Sequence, residues 1–161
     1  MITQQQLKAW LDYDELTGDF YWRRSPGGGV LAGSKAGSIN TQGYLQIQLG
    51  GILYLGHKLA WFYAHGEWAK VDHEDLNRAN IKLINLRKCN QSQNIANSPI
   101  SVANTSGYKG VSFNKRLAKY QAYIKVNYKR FHLGYFEKAE DASVAYITAA
   151  QKHFGAFART K

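Results

Sequence analysis

A change of hydrophobic period in the C-terminal third of the chain limits the folds that this sequence can adopt. Between residues 111 and 133, apolar and polar side chains alternate in three short runs, as in β-strands that bury one face. From Ala139 to Phe154, alanines and aromatic residues recur at helical spacing. The pattern predicts a sheet of three antiparallel strands packed on one α-helix.

The first two thirds of the chain predict several small elements. Gly50 and Gly51 lie between two apolar runs and predict a two-residue hairpin turn. The other expected elements are a helix over residues 3–11, a strand over 20–22, a glycine-rich loop over 25–37 and a helix over 59–66.

A unit of two strands and a helix is expected in the middle of the chain. Asn90, followed three residues later by Gln93, is a capping-box pattern that starts a helix at Gln91 and places Asn94 in its first turn. The two strands before it are expected over residues 71–74 and 85–88. The whole chain is therefore predicted to be an α+β protein.

Positive charge is concentrated near the C-terminus. Residues 1–106 carry ten Lys and Arg against eight Asp and Glu, whereas residues 107–161 carry eleven against three. This excess attracts nucleic acid or another polyanion, although positive charge that only keeps a protein in solution gives the same count. We expect two modules, residues 1–97 and 107–161, joined by a low-charge linker over residues 98–106.

Composition excludes several classes of protein. Cys89 is the only cysteine, which excludes an internal disulfide and a zinc site built on cysteine pairs. No apolar run approaches the roughly 18 residues of a membrane span. The first ten residues lack the basic head and apolar stretch of a secretory signal. We therefore expect a cytoplasmic protein without a membrane partner.

The most informative constellation lies in the predicted unit of two strands and a helix. Asp72 and His73 are adjacent, Asn85 lies twelve residues beyond His73, and Asn94 lies nine residues beyond Asn85. Two lead-in segments go with them, His-Lys-Leu-Ala-Trp at residues 57–61 and Gly-Glu-Trp at residues 66–68. This set resembles the HNH nucleases in the ββα-metal form found in phage and intron-borne homing endonucleases.

The resemblance implies a DNA endonuclease that hydrolyses phosphodiester bonds and leaves a 5′ phosphate. It also implies that Asn85 holds the hairpin and orients His73. Family members often have a glycine where Leu76 stands and an Asp-Asn pair where Asn80 and Ile81 stand. We therefore expect the loop between the two strands to have a different shape in this chain.

The chemistry of these side chains agrees with the resemblance. His73 titrates near neutrality and suits proton abstraction from water. Asp72 and Asn94 offer oxygen ligands to one divalent metal, Mg²⁺ or Mn²⁺ rather than Zn²⁺. Arg87 has the reach to contact a neighbouring phosphate. His57 is expected either to contact a phosphate or to pack inside the protein.

The C-terminal module resembles the plant ethylene-response-factor DNA-binding domain, relatives of which occur in phage homing endonucleases. The resemblance covers residues 107–161 and is strongest at Gly-Tyr-Phe, residues 134–136, followed by the alanine-rich helix. It implies that the sheet lies in the major groove of duplex DNA. The residues predicted to bind DNA are Lys109, Ser112, Asn114, Arg116, Tyr123, Lys125, Arg130 and His132.

These side chains suggest different contacts with DNA. Lysine and arginine neutralise phosphates or donate to guanine, Asn114 bonds base edges, and Tyr123 and His132 stack on sugars or pack on thymine methyl groups. Ser112, Asn114 and His132 replace arginines that are usual in the family. Base reading by this chain is therefore expected to differ from that of the family.

Together the patterns predict a two-module, metal-dependent DNA endonuclease that nicks duplex DNA, with a monomer as the expected unit. Its expected location is the cytoplasm, that of a bacterial host if a phage encodes the chain. Double-strand cleavage would need a dimer or two successive nicks. Two alternatives stay open: a non-catalytic DNA-binding protein with a degenerate nuclease module, and an RNA-binding protein. The second is disfavoured because the sheet lacks an RNP-like run of surface aromatic residues.

Overall fold

The structure, a computed structural model, describes residues 2–160 and has a mixed α+β fold. The chain divides into two compact units, Met1–Cys89 and Asn90–Lys161. The helices among the described residues are α1 (Gln4–Trp10), α2 (Gly56–His65), α3 (Gln91–Asn97) and α4 (Ala139–Phe154). None of these helices has both the length and the apolar character needed to cross a bilayer.

The strands are short and antiparallel. Those of the first unit are β1 (Leu11–Asp14), β2 (Asp19–Trp22), β3 (Ser38–Ile39), β4 (Leu45–Leu49), β5 (Ile52–Leu55), β6 (Val71–His73) and β7 (Leu86–Lys88). Those of the second unit are β8 (Val111–Asn114), β9 (Lys119–Val126) and β10 (Lys129–Phe136).

The first unit contains three small sheets around one core. The sheets pair β1 with β2, β3 with β4 and β5, and β6 with β7. Leu7 of α1, Phe20 of β2 and Ile47 of β4 are completely buried in the shared core. In the second sheet Leu49 lies opposite Ile52, so the predicted two-residue hairpin turn is confirmed.

The predicted strand pair before α3 is also confirmed. In β6 and β7, Asp72 lies opposite Arg87 and His73 lies opposite Leu86. Asn85 was expected in the second strand but ends a short 3₁₀ turn, Leu83–Asn85, directly before it. The position matters because the backbone carbonyl of Asn85 accepts from the Glu74 N–H at 2.9 Å and closes the hairpin.

The predicted capping box starts α3. The Asn90 side chain accepts from the Gln93 N–H at 2.9 Å, and the Gln93 side chain accepts from the Asn90 N–H at 2.8 Å. The sequence analysis placed this helix in the module of residues 1–97, whereas the structure assigns it to the second compact unit. Ala96 is the reason, because it is buried in the core formed by Ile124, Tyr146 and Phe154. Residues 98–106 then form neither helix nor strand.

The second unit has the predicted sheet of three strands packed on one helix. Strand β9 is central, and β8 and β10 flank it. Ala122 and Ile124 of β9 are buried on the side of the sheet that faces α4. Phe113 and Phe131, expected on the same buried face, are 47% and 46% exposed. They lie in the two edge strands, where a single helix covers the sheet incompletely.

Candidate functional site

The hairpin of β6 and β7 brings together the predicted carboxylate and the predicted phosphate-binding arginine. Arg87 Nη2 donates to Asp72 Oδ2 at 2.7 Å, and the two side chains are only 14% and 6% exposed. Arg87 Nη1 also lies 3.8 Å from the exposed carboxylate of Glu74. The guanidinium offsets the cost of burying the Asp72 carboxylate, so the pair holds both groups at fixed positions.

His73, the predicted base, lies beside this pair in β6 and is 6% exposed. Burial lowers the pKa of His73 below its usual value, and the nearby carboxylates of Asp75 and Asp72 counteract this only in part. The ring is therefore mainly neutral at pH 7. A neutral imidazole is the form that accepts a proton from water.

His57 lies in the first turn of α2, packed against the same ring. Its ring centroid is 4.8 Å from that of His73, edge to face, and 5.4 Å from that of Tyr44. Burial lowers the pKa of His57 to about 3, with smaller contributions from the charges of His73 and Lys58. Its Nδ1 atom has no hydrogen-bond partner within residues 2–160. These contacts bury the His57 ring inside the protein, at 6% exposure. That His57 contacts a phosphate stays a prediction.

Asn85 ties the hairpin loop to the start of β7. Its Oδ1 accepts from the Asp75 N–H at 3.0 Å, and its Nδ2 donates to Asp75 Oδ1 at 2.9 Å and to the Asn80 carbonyl at 2.8 Å. Burial raises the pKa of Asp75, but hydrogen bonds from Asn80, Asn77 and Asn85 outweigh it and leave a net lowering. Asn85 is thus bonded to the loop that follows His73. That it orients His73 stays a prediction.

Leu76 lies in this loop, at the position where the resemblance leads us to expect a glycine. Leu76 has a φ of +65°, in the left-handed region that glycine adopts at low cost and leucine at high cost. Its N–H donates to the His73 carbonyl at 3.2 Å, so the turn directly follows the predicted base.

Asn94, the predicted second metal ligand, lies in α3 of the second unit and is half-buried. Within residues 2–160 there is no group of three or more His, Cys, Asp or Glu side chains that could hold a metal ion. Mg²⁺ often binds through one or two carboxylates, with water and substrate phosphate as its other ligands. Asp72 has the chemistry of such a carboxylate ligand. That Asn94 shares the ion with Asp72 stays a prediction.

Six of the eight predicted DNA-binding residues lie on one face of the second unit's sheet, away from α4. Tyr123 lies opposite His132, and Lys125 lies opposite Arg130. The Arg130 guanidinium carbon is 3.4 Å from the centroid of the Tyr123 ring. We call this surface the outward face; its predicted members are Ser112, Asn114, Tyr123, Lys125, Arg130 and His132.

The other two predicted residues lie elsewhere. Arg116 is exposed in the turn between β8 and β9. Lys109 is half-buried, and its Nζ donates to the carbonyls of Ala96 and Ser98 at 2.5 Å each. Burial lowers the pKa of Lys109 to about 8, and the charge of Arg159 adds to the effect. Lys109 therefore binds the carbonyls at the end of α3 instead of projecting from the outward face.

Three members of the outward face were not predicted from the sequence: Lys119, Gln121 and Tyr135. Lys119 lies in β9 opposite Asn114 and pairs with Glu137. Gln121 lies in β9 opposite Ser112, and extending the alternation of β9 one step earlier would have found it. Tyr135 lies opposite Gln121 because β10 has a bulge between His132 and Gly134. The bulge shifts the alternation by one residue, and Gly134, a glycine inside a strand pattern, is the local signal that could have indicated it.

Comparisons of the chain with models of protein families, with curated proteins and with solved structures find no match. The two resemblances noted in the sequence therefore stay predictions. The hairpin and the outward face are the two candidate functional surfaces of the chain.

Proposed function

We propose that the chain is a metal-dependent DNA endonuclease that nicks duplex DNA by hydrolysing a phosphodiester bond. The observation that carries the proposal is the hairpin of β6 and β7, where the buried Asp72–Arg87 ion pair lies beside the buried imidazole of His73. Phosphodiester hydrolysis needs a base for the attacking water and positive charge near the phosphate. The hairpin offers both.

Each side chain of the hairpin has a separate role in this reaction. His73 takes the proton from the attacking water, and Arg87 places positive charge near the phosphate while it holds the Asp72 carboxylate. Asp72 is the ligand for Mg²⁺ or Mn²⁺. The metal, when bound, supplies positive charge that stabilises the developing negative charge of the phosphate and the leaving oxygen. Asn85 is a positioning residue, because it bonds the loop that follows His73.

The outward face of the second unit supports DNA as the substrate. Lys125 and Arg130 lie directly opposite each other, an arrangement of like charges that destabilises a sheet. A polyanion lying on the face removes this repulsion. Because the two units are covalently joined, binding by one raises the local concentration of DNA around the other.

Plasmid nicking tests the proposal. We expect the wild-type chain with Mg²⁺ to convert supercoiled plasmid into the open circle, and EDTA to stop the reaction. His73→Ala should lower the nicking rate by about 100-fold or more, the usual contribution of a general base, without changing duplex binding in a gel shift. The matched control is His65→Ala, because His65 is exposed on α2 and stacks on Trp61 outside the hairpin.

The alternative is a DNA-binding protein without catalysis. It is favoured by the ion pair itself, since a carboxylate bound to a guanidinium is a weaker ligand for a metal. Gel-shift binding by the wild-type chain with no nicking across several targets and metals would support this alternative. In a competition experiment, displacement of duplex DNA by added single-stranded RNA would instead support RNA as the partner.

A further inference from the structure

The outward face of the second unit has two chemically different halves. One half carries the hydrogen-bonding side chains of Ser112, Asn114 and Gln121, which we call the amide patch. The cation next to this patch, Lys119 opposite Asn114, is held in an ion pair with Glu137 at 2.8 Å. The other half carries two cations and an aromatic ring, Lys125, Arg130 and Tyr123, which we call the basic patch.

The side chains of the amide patch are linked to one another. Gln121 Nε2 donates to Ser112 Oγ at 3.1 Å, and Asn114 Nδ2 donates to Gln121 Oε1 at 3.5 Å. All three residues are half-buried. Gln121 also lies in the central strand, with Tyr135 opposite it in β10. These neighbours restrict the Gln121 side chain in the free protein, so less conformational entropy is lost when the side chain binds a partner.

The basic patch is restricted in a similar way. The planar guanidinium of Arg130 lies over the Tyr123 ring at 3.4 Å from its centroid. An arginine stacked on a ring keeps its N–H donors in one plane and directs them past the edge of the ring. The guanidinium is therefore preorganised to donate hydrogen bonds to a planar acceptor.

The two patches match different base edges in the major groove. A carboxamide has one donor and one acceptor, which pair with adenine N7 and N6, whereas a guanidinium has two donors, which pair with guanine O6 and N7. The Arg130 guanidinium lies over Tyr123, which is two residues from Gln121 along β9. At about 3.3 Å per residue, the two reading side chains are separated by about two base pairs for a strand that follows the groove.

We propose that the outward face reads a two-part duplex site, in which Gln121 of the amide patch selects an adenine and Arg130 of the basic patch selects a guanine. The inference rests on the proposed function, since it requires that the sheet bind duplex DNA. It goes further by assigning the base preference and the residue that sets it.

Selection of binding sites from a random duplex library, with the full chain, tests the proposal. We expect wild-type protein to enrich sites that contain both an adenine and a guanine. Gln121→Glu keeps the size of the side chain but presents only acceptors, which pair with the N4 amino group of cytosine. This variant should enrich cytosine in place of the adenine and bind the original site about 5- to 150-fold more weakly.

Three further variants keep the result interpretable. Gln151→Glu makes the same substitution at an exposed position of α4 and should leave the selected sequence unchanged. Gln121→Ala should remove the preference for adenine while the guanine is kept. Arg130→Ala should do the reverse. Thermal unfolding confirms that each variant is folded as the wild type is.

The outcomes separate the inference from the proposed function. An unchanged adenine in the sites selected by both Gln121 variants would overturn the inference and leave DNA binding intact. Failure of the wild-type chain to enrich any duplex would overturn the proposed function, and the inference with it.

Discussion

His57 sits at the start of α2 between the rings of Tyr44 and His73, and burial lowers its pKa to about 3. In the unfolded chain the same side chain takes up a proton near its ordinary pKa of about 6.5. Because the folded pKa is lower than the unfolded one, the unfolded state binds more protons between these values. The stability that the neutral His57 side chain contributes above about pH 6.5 is therefore lost progressively as the pH falls from 6.5 towards 3.

We expect this residue alone to lower the free energy of unfolding by about 2 kcal/mol between pH 7 and pH 5. His57→Asn should remove that part of the pH dependence, because asparagine does not titrate. Urea unfolding at the two pH values measures the effect. His65→Asn, an exposed position on the same helix, should keep the wild-type dependence. Equal pH dependence in both variants would contradict the argument.

Single residues also show the limit of sequence reasoning about sites. The sequence predicts that Lys109 binds DNA, because this residue stands next to the first strand of a basic module. In the structure its ammonium binds carbonyls of Ala96 and Ser98, which are 13 and 11 positions away in the chain. Asp72 and Arg87 are likewise 15 positions apart. Such partners are chosen by packing, and no pattern of neighbouring residues indicates them.

At the scale of elements, the successful predictions depended on neighbouring residues. The capping box of Asn90 and Gln93 starts α3, and the Gly50-Gly51 turn joins β4 to β5. Strand β1 was missed because Leu11–Asp14 is short and follows a helix directly. Its pairing with β2, with Leu11 opposite Trp22, supplies the stability that its own sequence lacks.

The contact of α4 with its sheet depends on one glycine. Gly110 has a φ of +72°, and a Cβ atom there would overlap the Tyr146 ring and lie 2.8 Å from the Tyr123 carbonyl oxygen. Gly107 has a similar φ of +77°, but a Cβ atom there would meet nothing within 4 Å. The two positions share backbone strain and differ in steric overlap.

We expect Gly110→Ala to lower the free energy of unfolding by about 3 kcal/mol or more, because overpacking adds to the cost of a left-handed alanine. Gly107→Ala carries only the backbone cost and should lose about 1 kcal/mol. Chemical denaturation of both variants at pH 7 measures the difference. Equal losses would show that α4 moves to accommodate the methyl group at little cost.

For the whole molecule, the location of the positive charge matters more than its sum. The formal net charge is +10, and most of it lies in residues 107–161. Within the second unit, Lys125 lies on the outward face whereas Lys152 lies on α4, on the other side of the sheet. Both are exposed. They allow the effect of position to be separated from the effect of net charge.

We expect Lys125→Gln to weaken binding to all duplexes and to reduce the slope of log K against log salt concentration by about one, because one phosphate contact is lost. Lys152→Gln changes the net charge equally and should leave the slope unaltered. Fluorescence anisotropy with labelled duplex over a range of salt concentrations measures both. A similar loss in the two variants would indicate binding by net charge alone.

Local patterns were enough to predict the α+β class, most helices and strands, the α3 cap and the concentration of positive charge in the second unit. These features follow from hydrophobic period, turn residues and capping pairs, which act over a few positions of the chain. Long-range packing set the remaining features: α3 joins the second unit, His57 is buried beside His73, and Lys109 faces backbone carbonyls. Strand register placed Gln121 and Tyr135 on the outward face. The reason is physical: burial and long-range pairing depend on which elements pack together, and that packing is a property of the folded chain as a whole.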